Sequence, residues 1–240
     1  MGDEHGNYLY LPERECSVQA GKEKVVVEAP STIMDDATRQ KMGQQAVSLA
    51  RASGLQNAAT CEFLVGKNKQ FYFLEMDPKL TQEHPVTEEI TGLDLVEQQI
   101  LIAAGYPLEL KQKDIKIHGH AIGYRVSAED PARKPIPSIG FLPSIGFLEK
   151  FKKPSKNPNL RVDTGVEEGS EISIHYEPLL AKLFAWGNDR KEALTLLAKA
   201  LDEMVIRGVA HSAAIGRSIM KNPQMISGQY SSELIPSFYP

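Results

Sequence analysis

Glu62, Glu75 and Asp77 sit in two apolar-rich segments, Thr60–Val65 and Gln70–Met76, on either side of a polar Gly66-Lys-Asn-Lys69 turn. That pattern reads as a β-hairpin. If Gly66 pairs with Phe71, the antiparallel ladder sets Glu62 directly opposite Glu75. Like charges facing each other destabilise a sheet, and a divalent cation between them removes the conflict. Asp77 points to the same face if the strand continues. Three such carboxylates suit Mg²⁺, which takes hard oxygen ligands and often shares them with phosphates. A different register makes the same residues solvated strand ends, and spacing alone does not choose between the two. The next stretch, Asp77 to Glu88, reads as short and irregular. In it Glu83 could serve as a general base and Lys79 as an anion holder, although a Glu-His-Pro sequence by itself marks an ordinary loop.

The elements that must position these groups are legible in part. Tyr8–Leu11 and Lys24–Val27 read as strands. Apolar spacing predicts helices over Asp35–Ser53, stopped by Gly54, and over Leu93–Ala104, started by a Thr91-Gly-Leu-Asp94 capping box and ended by Gly105. A third, Asp189–Arg207, carries one apolar stripe from Ala193 to Val205, with Asp189 and Glu192 to cap its start and Gly208 its end. Ile117–Ser127, Leu160–Val162, Glu171–Ile174 and Ala181–Trp186 read as further strands. Pro131–Pro158 reads as irregular. Inside it, Pro137-Ser-Ile-Gly-Phe-Leu142 is repeated at once as Pro143-Ser-Ile-Gly-Phe-Leu148. A single tandem copy is no solenoid, so a duplication lengthening a surface loop is the expectation. Tyr106–Asp114 reads as a break between two domains.

Composition narrows the function classes. Lys and Arg number 27 against 31 Asp and Glu, a net charge of −4, which argues against a nucleic-acid footprint. No apolar run is long enough for a membrane span, and the polar, acidic start shows no signal or transit peptide. Cys16 and Cys61 make no disulfide framework and read as small buried hydrophobes in a reducing compartment. A cytoplasmic or mitochondrial-matrix protein, not a secreted one, is expected.

Longer motifs carry a resemblance. Glu13-Arg-Glu-Cys-Ser-Val-Gln19, Phe71-Tyr-Phe-Leu-Glu-Met76, Glu83-His-Pro-Val-Thr-Glu88 and Ile90-Thr-Gly-Leu-Asp-Leu-Val96 resemble the biotin carboxylase family of ATP-grasp ligases. Gly119-His-Ala-Ile122, Ala128-Glu-Asp-Pro131, Arg161-Val-Asp-Thr-Gly165 and Ile174-His-Tyr-Glu-Pro178 continue it downstream. Val205-Ile-Arg-Gly-Val209 and the Phe238-Tyr-Pro240 ending resemble the carboxylase subunit of acyl-CoA carboxylases, the propionyl-CoA type in particular. The resemblance implies an α+β fold: the C-terminal half of an ATP-grasp domain over residues 1–110, then the biotin carboxylase C-terminal domain over 111–240.

It also implies a chemistry, in which bicarbonate is phosphorylated with Mg-ATP and the carboxyl group passes to N1′ of biotin. Glu62 and Glu75 match metal ligands, for Mg or Mn, and Asp77 replaces an Asn there. Gln19 matches a nucleotide contact, Lys24 a bicarbonate-binding Lys, Glu83 the base that deprotonates bicarbonate, and Arg161 the Arg that stabilises the biotin enolate. Departures accompany these matches. Gln19-Ala-Gly-Lys-Glu-Lys24 replaces Gln-Arg-Arg-His-Gln-Lys, so Lys22 stands for a nucleotide-contacting His. Lys79 replaces a bicarbonate-binding Arg, Thr81 a Gln, Gln82 a Val, and Gly123 a Glu. A Lys is a flexible point charge where Arg offers two parallel donors.

Neither a phosphate-cradling Gly motif nor a biotinylation motif occurs in the 240 residues. The expectation is a fragment or truncated biotin carboxylase subunit, inactive alone. Its expected partners are the N-terminal half of the carboxylase, a biotin carrier domain, a carboxyltransferase subunit and further copies in a homodimer or larger complex. The rival is a non-catalytic, degenerate module for dimerisation or assembly. His118 and His120 flank Gly119 without acidic or Cys partners at ligand spacing, so a structural role is expected of them.

Overall fold

The computed structural model describes residues 1–136 and 139–239. The first two residues of the leading repeat copy, and Pro240 of the ending, lie outside these. In chain order the strands are β1 (Gln19–Ala20), β2 (Glu23–Lys24), β3 (Val26–Ala29), β4 (Thr60–Val65), β5 (Phe71–Asp77), β6 (His120–Ser127) and β7 (Glu129–Asp130). Then come β8 (Leu142–Pro143), β9 (Gly146–Phe147), β10 (Lys150–Lys152), β11 (Leu160–Thr164), β12 (Glu171–Ile172), β13 (Leu179–Gly187) and β14 (Val205–Arg207). The helices are α1 (Asp36–Ala52), α2 (His84–Thr91), α3 (Leu95–Ala103), α4 (Arg190–Glu203), α5 (Ala213–Lys221) and α6 (Pro223–Ser227).

The chain forms two compact units, and no single cut separates them. Met1–Arg14 with Ala29–His118 make the first; Glu15–Glu28 with Gly119–Pro240 make the second.

The first unit holds α1, the β4–β5 hairpin, α2 and α3. The helix expected over Asp35–Ser53 is α1, and Asp35 caps it by accepting from the Thr38 amide at 2.8 Å. Asp94, not Thr91, caps α3, accepting from the Glu97 amide at 2.9 Å. Gly92 ends α2 in the left-handed conformation, with φ 71°, so the residues read as a capping box finish one helix as well as starting the next. Tyr8–Leu11 forms no strand. Tyr8 makes an isolated bridge to Gly2, and Leu9 is buried with Ile102 and Leu108.

In the second unit a four-stranded sheet runs β11-β13-β6-β3. β13 pairs antiparallel with both β6 and β11. Leu194, Leu197 and Leu201 of α4 and Ile215 and Ile219 of α5 bury into the same core as Tyr124, Leu180 and Leu183 of the sheet region. Asp189 caps α4, accepting from the Glu192 amide at 2.9 Å. The helix ends at Glu203, earlier than the apolar stripe suggests, because Val205–Arg207 leave it to pair with Lys150–Lys152. β-branched residues fit a pleated ladder better than a helix end.

The segment read as irregular therefore contains ladder partners: β8 pairs with β7, β9 with β12, and β10 with β14. The duplicated hexapeptide does more than lengthen a loop. In the first copy Phe141 is 3 % exposed and Leu142 37 %; in the second Phe147 is 61 % exposed and Leu148 0 %. Among the described residues each copy buries one large apolar side chain, and not the same one.

Candidate functional site

Each unit carries part of the residue set singled out from sequence. In the first, β4 and β5 pair with Glu62 opposite Glu75 and Thr60 opposite Asp77. The register differs near the turn, where Phe71 faces Val65 rather than Gly66. An irregularity between Glu62 and Phe63, where Leu74 has no partner of its own, restores the expected acidic pair. Alternation then puts Glu62, Glu75 and Asp77 on one face. Phe63 packs edge-on against Phe71 and Phe73 at 5.7 and 5.8 Å between centroids, on the other face.

Two facing carboxylates with a third beyond them are an all-oxygen donor set and fit a hard divalent cation. Among the described residues no three His, Cys, Asp or Glu side chains are grouped closely enough to hold an ion by themselves. A cation here would need donors beyond these three carboxylates. Lys79 Nζ lies 2.8 Å from Asp77 Oδ2. Thr81 Oγ1 accepts from Arg14 Nη2 at 3.2 Å, and Arg14 also donates to Thr60 and Thr87.

The stretch read as irregular closes into α2. Glu83 occupies its N-cap position and Pro85 falls in the first turn, where a missing N–H costs nothing. Oε2 of Glu83 is buried with no hydrogen-bond partner among the described residues. His84 Nδ1 stands 3.0 Å from Glu88 Oε1, one turn along the same helix.

The second unit carries Gln19, Lys22, Lys24 and Arg161. β1 and β2 form a minimal hairpin, Gln19 opposite Lys24 and Ala20 opposite Glu23, with Gly21 and Lys22 at the turn. Gln19 Nε2 donates to the Cys16 carbonyl at 2.8 Å. Arg161, on β11, donates from Nε to Asp163 Oδ1 at 3.0 Å, and Lys182 Nζ approaches the other oxygen at 4.0 Å. Cys16 and Cys61 are not disulfide-bonded and are half-buried; burial pushes the Cys61 thiol up.

Two charged clusters in the second unit were not foreseen. Glu28, fully buried on β3, lies 2.7 Å from His120 Nε2 and accepts from Arg190 at 2.7 and 3.2 Å and from the Tyr230 hydroxyl. Burial alone would raise its pKa; these donors outweigh that and hold it below the usual carboxylate range. A lone Glu inside the apolar run Val25–Ala29 was the available signal. In the other cluster the Arg125 guanidinium donates to Glu23 and to Glu177. Glu129 stands nearby. Burial, then the Glu23 and Glu177 charges, push its carboxyl up to about 7 against the opposing pull of Arg125.

Residues 1–111 match the family described as carbamoyl-phosphate synthase L chain, ATP binding domain, and residues 123–237 match the biotin carboxylase C-terminal domain. The chain is 52 % identical over 240 residues to the mitochondrial propionyl-CoA carboxylase alpha chain of Homo sapiens, covering 100 % of this chain and 32 % of that one. To the mitochondrial methylcrotonoyl-CoA carboxylase subunit alpha of Arabidopsis thaliana it is 43 % identical over 236 residues, 98 % of this chain and 31 % of that one. The chain thus spans about a third of the length of these curated relatives. Among solved structures, the biotin carboxylase domain dimer of Hydrogenobacter thermophilus 2-oxoglutarate carboxylase, in complex with MgADP, ADP and bicarbonate, superposes with a TM-score of 0.93. Identity to it is 36 %, over 99 % of this chain and 51 % of that one. With one match over the ATP-binding region, one over the C-terminal domain and relatives aligned from end to end, the chain belongs to the biotin carboxylase family.

Proposed function

We propose that the chain is part of the biotin carboxylase subunit of an acyl-CoA carboxylase of the propionyl-CoA type. In this reading Mg-ATP, with Mg²⁺ or Mn²⁺ held by Glu62, Glu75 and Asp77, supplies the phosphoryl group that activates bicarbonate for transfer to biotin carried on another domain or chain. Glu83 takes the proton from bicarbonate. Lys24 and Lys79 hold the anion, and Gln19 and Lys22 contact the nucleotide. Arg161, its Nε fixed by Asp163, balances the negative charge on the ureido oxygen of biotin.

The observation that carries the reading is the buried Oε2 of Glu83, an acceptor without a donor among the described residues. Such an atom is costly unless a ligand satisfies it, and a bicarbonate hydroxyl would. The phosphate-cradling and adenine-holding parts, the biotin carrier domain, a carboxyltransferase subunit and a second copy are supplied by residues or chains beyond these 240. The setting is mitochondrial or cytoplasmic.

One observation favours the non-catalytic alternative. Lys79 is engaged by Asp77, and Thr81 by Arg14, so two groups that replace an Arg and a Gln are turned to partners in the protein. A single experiment separates the readings. The upstream half of a propionyl-CoA carboxylase alpha chain is fused before Gly2, and bicarbonate-dependent ATP hydrolysis is measured with free biotin. Turnover that Glu83→Gln lowers by about 10²–10³ supports the enzyme. A folded but inert fusion, reactivated by Lys79→Arg with Thr81→Gln, supports the degenerate module.

A further inference from the structure

The β1–β2 turn is short, and it carries Lys22 and Lys24. Its backbone is seated on the Ile139–Gly140 turn of the first hexapeptide copy. A Cβ on Gly21, whose φ is +63°, would lie 2.4 Å from the Gly140 nitrogen, and one on Gly140 would lie 2.7 Å from the Ala20 carbonyl oxygen. On the other side the hairpin meets Arg125 of β6. The Arg125 amide donates to the Val25 carbonyl at 3.0 Å. Its guanidinium donates through one terminal nitrogen to Glu23, between the two lysines, and through the other to Glu177.

Most exposed ion pairs contribute little. This one differs in its anchor. The Arg125 side chain is only 15 % exposed while each Glu is 49 % exposed, and it springs from a strand buried along nearly its whole length. A planar fork on a fixed strand, holding two carboxylates at once, loses little freedom in each bond.

We infer that Arg125 is a positioning residue: by gripping Glu23 it fixes the β1–β2 hairpin and hence where Lys22 and Lys24 present their ammonium groups. The inference rests on the proposed roles of those lysines for its functional consequence, but not for its structural test. Glu177 is the second carboxylate on the fork, held by the other terminal nitrogen of the guanidinium.

Amide hydrogen exchange of the full 240-residue chain tests the grip directly. In Glu23→Gln, and in Arg125→Lys, which keeps the charge but loses the fork, the Gln19–Val25 peptide should exchange about tenfold faster. Peptides from β13 should not change. Glu23 is half-exposed, so its variant is expected to keep the fold, and the β13 peptides check that in the same experiment. Unchanged exchange in Glu23→Gln overturns the proposal, and so does an equal rise in β13, which would make Arg125 only a stabiliser of the fold. In the intact carboxylase, Glu23→Gln should raise KM for bicarbonate or nucleotide severalfold with kcat nearly unchanged, because an ungripped hairpin presents its lysines in the binding-competent arrangement less of the time. Faster exchange with an unchanged KM would keep the positioning and remove the assigned lysine roles.

Discussion

Glu28 and Glu129 are carboxylates of the same unit, and the protein treats them in opposite ways. Glu28 is one acceptor among three donors, so it stays ionised although no water reaches it. Around Arg125 the proportion is inverted: one guanidinium faces Glu23, Glu177 and Glu129, and the least solvated of the three is left to protonate near pH 7. Burial is common to both sites. The ratio of donors to acceptors decides whether a buried acid is a fixed charge or an adjustable one.

The strongest way to break this contrast is Glu28→Gln. Removing the charge leaves half-buried Arg190 beside a neutral group, and we expect a loss of about 3–5 kcal/mol in a denaturant titration at neutral pH. The penalty should shrink as pH falls. The folded-state pKa of Glu28 is depressed, so its contribution is full above the ordinary Glu value of about 4.3 and is lost as pH drops through the lower folded value. A penalty that persists unchanged in acid would mean that shape, not charge, holds the cluster.

Tyr230→Phe takes away one donor only. It should cost about 1.5–3 kcal/mol, the range for a hydrogen bond to a charged group, read as a lower midpoint of unfolding. A neutral result would place the stability of Glu28 on Arg190 and His120 alone.

Glu129→Gln should act with the opposite sign. A carboxyl whose folded pKa is raised to about 7 contributes stability below its unfolded pKa and loses it as pH rises through the folded value. The variant should match the wild type near pH 4 and exceed it at pH 8 by on the order of 1 kcal/mol, a figure reduced for the partial exposure of the site. Equal stability at both pH values would show that Arg125 serves all three acids.

The smallest effect is expected in the β4–β5 hairpin, where Glu75 faces Glu62. Glu75→Gln should be neutral or stabilising by about 0.2–1 kcal/mol in a denaturant titration without divalent cations, since it removes repulsion from Glu62. Clear destabilisation would mean that Glu75 gains more from a partner than it loses to the repulsion.

What could be read beforehand divides along physical lines. Asp35 and Asp189 cap the helices expected of them, because capping is local. The acidic pair in the hairpin was legible as a possibility, but the irregularity that creates it was not: the turn-side register fails by one residue and Leu74 absorbs the difference. α2 was hidden by its own chemistry, since charged residues and a proline at a helix start look like a loop. Val205 and Ile206 continued the stripe of α4 although they belong to a ladder with Lys150–Lys152. The hexapeptide copies set the clearest limit. Identical residues bury Phe141 in one place and Leu148 in the other, so the surroundings, not the segment, choose which face turns inward. Glu28 and Arg125 went unnoticed because their partners are far away in sequence.

That distance has a consequence for how the chain is made. Glu28 is synthesised 92 residues before His120, 162 before Arg190 and 202 before Tyr230. At roughly 5–20 residues per second, β3 emerges on the order of 5–20 s before the strand it lies beside, and the carboxylate waits longer still for its last donor. Until then Glu28 must remain hydrated and its strand unburied, so the second unit closes late and from contacts of high sequence separation, the slow kind. A piece beginning at residue 111 would reach the end of synthesis with Arg190, His120 and Tyr230 in place and no acid for them to hold.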